Sequence, residues 1–210
     1  MNGNYNFDIW VLEFLYCLNR NSDDYVLVGD SALYYCYGLD RHVDEVEIYC
    51  RHGIDLTKLT DCIVGHIKQN YFILDVTHQS FSKCTLELRN KNIDRVLKLK
   101  LTYRSEDLNH SYNLAVVDGL LTCDINALLF VKINSFVYTL NVSDFLDILY
   151  LYYKHKDSLT SYTIPHLKTT LSYYNIDCIK YLFSAQSTTF GVTVGKLSKI
   201  SDLFKELENF

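Results

Sequence analysis

Residues 95 to 103 alternate cleanly: Leu97, Leu99 and Leu101 fall on one side, and Lys98, Lys100 and Thr102 on the other. Successive strand side chains point to opposite faces, so this stretch predicts a strand with one apolar face. The stretch 45 to 50 behaves likewise, with Val46 and Ile48 opposing Glu45 and Glu47. An apolar run at 25 to 28 predicts another strand, and 71 to 77, 83 to 89 and 113 to 117 add three more. Asn90-Lys91-Asn92 reads as a turn. A helical rhythm at 7 to 19 (FDIWVLEFLYCLN), closed by Arg20, Asn21 and Ser22, predicts an opening helix packed on the sheet. Ser31 to Tyr37 form a short helix ended by Gly38 in a C-cap role. Asp55 caps a helix running to about Gln69, with Leu56, Leu59, Ile63 and Ile67 on one side.

After Asp118 the rhythm changes. Helices are expected at 124 to 139 and 143 to 155, with Asp124 and Ser143 as N-caps. Others are expected at 164 to 173, 175 to 184 and 198 to 208. The β-branched stretch 187 to 197, with two glycines, reads as a loop. The chain is therefore α/β in its first part (1–118) and helical in its second (119–210).

Composition narrows the class. The 210 residues are 49% hydrophobic, enough for a sizeable core. No run reaches the roughly 18 apolar residues a membrane span needs, and the acidic N-terminus carries no secretory signal. Seven cysteines without a C-x-x-C pair indicate free thiols in a reducing, cytoplasmic setting. A net charge of −5 excludes a broad basic nucleic-acid surface, so any RNA contact is local. The seven histidines form no metal-ligand constellation. Cys36 reads as a small packed hydrophobe. Tyr150, Tyr152, Tyr153, Tyr162, Tyr173, Tyr174 and Tyr181 either stack on bases or line a core.

The chemistry concentrates at 26 to 49. An apolar strand meets Gly29, Ser31 follows, and the chain re-extends through Glu45 and Glu47, which share a face. Two such acids opposite a Gly-Ser turn suit a divalent metal and a nucleotide phosphate tail; they equally suit a solvated strand face. Gly29-Asp30-Ser31-Ala32-Leu33 followed by Arg41-His42-Val43-Asp44-Glu45-Val46-Glu47 resembles the first motif of the AbiEii/MenT-type nucleotidyltransferase-fold toxins. Lys132, followed by Ser143-Asp144-x-x-Asp147, resembles their second.

The resemblance implies a nucleotidyltransferase-like mixed sheet core with helices, followed by a helical C-terminal region that contributes to the site. It implies transfer of a nucleoside monophosphate from an NTP, with Mg²⁺, to a tRNA or protein acceptor. It also implies a toxin role with an antitoxin partner. The implied roles are Gly29, Ser31 and Arg41 on the nucleotide, Glu45 and Glu47 on the metal, and Lys132 on the triphosphate. Asp144 or Asp147 would support Lys132 or the acceptor. Paired acids gripping Mg²⁺, with donors aimed at the phosphates, supply the positioning and charge neutralisation that phosphoryl-type transfer needs.

The sequence also departs from that pattern. Asp30 places a negative charge at the turn, both metal-position acids are Glu, Val43 replaces a hydroxyl residue, and Ser143 replaces an Arg. Lys100 occupies a later acidic position, where it could pair with Glu45 or Glu47 and replace the metal's charge. Arg41 is placed either on phosphate or against Asp40 or Asp44. Two readings therefore remain open: a working transferase, or a degenerate member that binds a protein or nucleotide without transfer.

Overall fold

The computed structural model describes residues 3–41, 43, 45–67, 72–80, 82–90, 93–103, 113–185 and 194–208. The turn expected at Lys91-Asn92 and the loop expected at 187–193 lie outside them, as do His42, Asp44 and Gln69. The chain divides into two compact units, one ending at Asp124 and one beginning at Ile125.

The first unit is built on a mixed sheet of seven strands: β1 (Tyr25–Val28), β2 (Glu45–Cys50), β3 (Phe72–Gln79), β4 (Lys83–Asn90), β5 (Ile93–Thr102), β6 (Leu114–Val117) and β7 (Leu120–Cys123). Their order is β3-β4-β5-β2-β1-β7-β6. The pairs β2–β5 and β1–β7 run parallel; the others are antiparallel. Helices α1 (Gly3–Asn21), α2 (Gly29–Tyr35) and α3 (Leu56–Ile67) complete the unit.

Alternation decides the two sheet faces. Val46, Ile48, Leu86, Leu88, Leu97, Leu99 and Leu101 are buried on one face. Phe7, Trp10, Val11, Phe14, Leu15 and Leu18 of α1 are buried too, and α1 packs on β5, β7 and α3. Each such side chain contributes roughly 1.5–3 kcal/mol when taken fully from water, before the entropy of ordering it. The opposite face carries Glu45, Glu47, Thr85, Glu87, Lys98 and Lys100. The registers Glu45↔Lys98 and Glu47↔Lys100 set acids of β2 beside lysines of β5.

Two local features differ from the sequence expectation. Strand β7 was not foreseen: Asp118 (φ 50) and Gly119 (φ 85) form a two-residue hairpin turn that returns β6 directly into it. Helix α2 starts at Gly29 and ends at Tyr35. Gly38, at φ 70, lies beyond its last turn, where Leu39 N–H returns to the Leu33 carbonyl at 2.9 Å.

The second unit contains helices α4 (Ile125–Thr139), α5 (Val142–His155), α6 (Thr163–Ser172), α7 (Ile176–Ala185) and α8 (Val194–Glu208). Helix α8 begins four residues before its expected start, so 194–197 are helix rather than loop. The N-cap of α5 is Asn141, not Ser143: the Asn141 side chain accepts the Ser143 backbone N–H at 2.9 Å. Phe136, Phe145 and Phe183 form an edge-to-face core, with centroids 5.0 and 5.6 Å apart. Asn126, at the start of α4, accepts from Thr160 N and Thr163 Oγ1 at 2.9 Å each, tying down the entry to α6.

Candidate nucleotide site

The sequence residues fall in two clusters, one in each unit. In the first, β1 ends at Val28 and the chain turns into α2 at Gly29, whose φ is 62. The Glu47 side chain also lies against this glycine. A Cβ at position 29 would lie 1.7 Å from Glu47 Oε2 and 2.9 Å from Glu47 Cδ. The acid therefore lies directly over the turn.

Ser31 is fully buried. Its hydroxyl donates to the Val28 carbonyl at 2.8 Å and accepts the Glu47 backbone N–H at 2.9 Å. It laces α2 to both β1 and β2. Donation to a phosphate would require breaking the Val28 bond. Asp30 and Arg41 form an ion pair at 2.7 Å, a partner the sequence reading did not name for Arg41; Asp44, considered from sequence, lies outside the described residues. The guanidinium offsets the negative charge that Asp30 brings to the turn. Val43 is buried.

Lys100 decides the electrostatics of the acidic pair. Its Nζ lies 2.5 Å from Glu47 Oε1 and 3.6 Å from Glu45 Oε1. Burial alone would lower the lysine's pKa. The hydrogen bond to Glu47 and the charges of Glu47 and Glu45 outweigh that, and the net shift is upward. The ammonium thus stays protonated between the two carboxylates.

Mg²⁺ needs near-octahedral oxygen ligands at roughly 2.0–2.1 Å. A protonated amine offers no lone pair, and here its charge lies against one oxygen of each carboxylate, where a cation would sit. The described residues of this strand face do not fit a divalent ion as they stand.

The second cluster bridges α4 and α5. Lys132 Nζ lies 2.8 Å from Asp144 Oδ1 and 2.8 Å from Asp147 Oδ2. All three residues are buried, at 7%, 8% and 1% exposure. Helical spacing explains the meeting: Asp144 and Asp147 are three apart and share a face of α5. Ser135, three residues after Lys132, donates to Asp144 Oδ2 at 2.7 Å. The sequence reading missed Ser135, although the same three-residue spacing from Lys132 was a usable signal. The buried lysine is held by two carboxylates, and Asp144 is held in turn by the Ser135 hydroxyl, so removing Lys132 would leave two buried acids without their cation.

No protein-family model matches the sequence, and no curated protein matches it. Solved structures do. Helicobacter pylori JHP933 aligns with a TM-score of 0.73 at 18% identity, over 100% of this chain and 95% of its own. A candidate nucleotidyltransferase from H. pylori gives 0.73 at 17% identity, over 100% and 98%. Identity this low establishes likeness of fold: an α/β mixed sheet of the nucleotidyltransferase type, with helices.

Proposed function

We propose that this nucleotidyltransferase-fold protein binds a nucleotide without metal-dependent transfer, its metal carboxylates having become an internal ion pair. The Lys100–Glu47 contact of 2.5 Å carries this reading. The lysine supplies from within the chain the positive charge that Glu45 and Glu47 would otherwise recruit as Mg²⁺. Glu in place of Asp and Val43 in place of a hydroxyl residue point the same way. Gly29 and the ion-paired Arg41 remain at the turn as the nucleotide-facing elements.

Titration calorimetry with each NTP, with Mg²⁺ and with chelator, tests this. Equal affinity in both conditions is expected, with no labelling of RNA or protein by labelled NTP. Lys100→Asp is expected to create a three-carboxylate face and to bring Mn²⁺ affinity with it. Mg²⁺-dependent labelling of an acceptor that Glu47→Ala abolishes would overturn the reading.

The intact Lys132–Asp144–Asp147 cluster favours a second reading. There the chain transfers a nucleoside monophosphate to a tRNA or protein, as a toxin of the AbiEii/MenT type held by an antitoxin. In it Lys132 neutralises the triphosphate and Asp144 orients Lys132. Growth arrest on expression, relieved by a co-expressed neighbouring gene and dependent on Lys132, is its expected result.

A further inference from the structure

The two edges of the sheet are built differently. At β3 the register shifts between Val76 and His78, and half-exposed Asp75 pairs with Arg89 at 3.9 Å. A bulge and a charge are the usual guards against unwanted pairing of an edge. Strand β6, last in the order on the other side among the described residues, has neither. Its four residues are Leu114-Ala115-Val116-Val117, and its register with β7 runs without a break. Leu114 and Val116 are exposed, at 41% and 72%.

The backbone phase of β6 is fixed. Asp124 N–H donates to the Asn113 carbonyl at 2.9 Å. Bonded and non-bonded residue pairs alternate along an antiparallel ladder. Ala115 and Val117 therefore exchange their bonds with Thr122 and Leu120, their register partners. The N–H and C=O groups of Leu114 and Val116 point the other way, off the outer edge. The residues with exposed apolar side chains are thus the ones that aim backbone donors and acceptors outward.

We infer that β6 pairs antiparallel with β6 of a second copy of this chain, about a two-fold axis at Ala115. This goes beyond the nucleotide-binding reading and does not rest on it.

The edge is complementary to itself. Opposed side chains in a ladder share a face, so the axis must fall on a residue and not between two. Centred on Ala115, it sets Leu114 against Val116 of the second copy, and Val116 against Leu114. Both are outward-bonding residues, so four main-chain hydrogen bonds form and the exposed apolar side chains cover one another. Centring on Val116 would oppose Leu114 with Asp118, which sits in the turn at φ 50. Residues 113–117 carry no charge, so the two copies meet there without local repulsion despite a net charge of −5 each. Pairing of β6 with β6 uses the open edge of both copies and closes at two. Pairing of β6 with β3 would run head to tail and propagate, and β3 is the edge that carries the guards. A contact this short buries less than about 1,000 Å², so a dissociation constant of about 1 µM or weaker is expected.

Sedimentation velocity of the full chain from about 1 to 500 µM, in reducing buffer without nucleotide or metal, tests this. Wild type should pass from monomer toward dimer over that range. Val116→Lys, present twice in each dimer, should weaken association about 10-fold or more, whereas Val116→Ile should keep it. Val116 is 72% exposed, so Val116→Lys should unfold at the wild-type midpoint when dilute. The register is tested by Ala115→Cys in a Cys178→Ser background. Opposed non-bonded residues lie about 4.5 Å apart at Cα, within disulfide reach. Glutathione disulfide should then link two copies through position 115. Three results would each overturn the inference: wild type monomeric throughout, Val116→Lys associating as tightly as wild type, or peptide mapping that finds no link between the two positions 115. With nucleotide and metal absent, these outcomes are independent of the calorimetric test of the Glu47–Lys100 site.

Discussion

Gly29→Ala should reveal whether the turn and the acid form one unit. Two terms add. Holding a Cβ-bearing residue at φ 62 costs about 1–2 kcal/mol. The new Cβ would also lie 1.7 Å from Glu47 Oε2, so the carboxylate must swing away and release Lys100. That pair is half-exposed, so displacing the carboxylate and losing the pair together cost only about 0.5–1 kcal/mol. The expected total is about 1.5–3 kcal/mol, read as a lower urea midpoint at unchanged slope. A double-mutant cycle separates the terms. In a Glu47→Ala background the collision is gone, and Gly29→Ala should cost only its backbone term. A coupling of about 0.5–1 kcal/mol is expected, as for residues in contact. Equal costs in both backgrounds, within about 0.3 kcal/mol, would refute the packing of Glu47 over the turn.

Lys132→Met leaves Asp144 and Asp147 buried without their cation and should cost about 3–5 kcal/mol in urea unfolding; a loss under about 1 kcal/mol would mean the cluster is not a desolvated ion pair. Asp24 accepts from Lys58 and pairs with His52, which together hold its carboxyl below the ordinary 3.8. A depressed carboxylate stabilises above its unfolded pKa and loses that contribution as pH falls toward the folded value. The melting-temperature gap between wild type and Asp24→Asn should therefore be full at pH 6 and shrink below pH 3.8; a gap that widens in acid would reverse this assignment. Burial pushes the Cys36, Cys50 and Cys123 thiols up to about 12. Only exposed Cys178 should react quickly with a thiol reagent in the native protein, and mass mapping that finds Cys50 labelled first would contradict the burial.

The sheet was legible where one face is apolar and the other charged. Strand β2 begins and ends where the alternation of Val46 and Ile48 against Glu45 and Glu47 placed it. Leu97, Leu99 and Leu101 all turned inward. Strand β7 escaped because its four residues, Leu120 to Cys123, carry no alternation; the signal lay in Asp118-Gly119, a strong hairpin turn between two short apolar runs. The cap of α5 was misplaced by two residues, because serine and asparagine cap equally well and only backbone geometry chooses. In the site, Lys132 beside Asp144 and Asp147 was legible, since an apolar helix makes an unpaired lysine costly. The Arg41–Asp30 pair was not, because sequence proximity favoured Asp40 and Asp44, and only the fold brings residue 30 within reach.

The parallel pairing of β1 with β7 has a consequence for synthesis. Leu27 registers with Thr122, whose hydroxyl also donates to the Leu27 carbonyl at 2.8 Å. Strand β1 thus waits for a neighbour made 95 residues later. At about 5–20 residues per second, translation leaves one edge of that apolar strand open for roughly 5–20 s. Meanwhile β3, β4 and β5 can already pair as local antiparallel neighbours, whereas distant parallel pairing comes slowly. The nascent chain is therefore most vulnerable to chaperone capture or misassociation before Thr122 emerges, and the helical unit is made only after that gap can close.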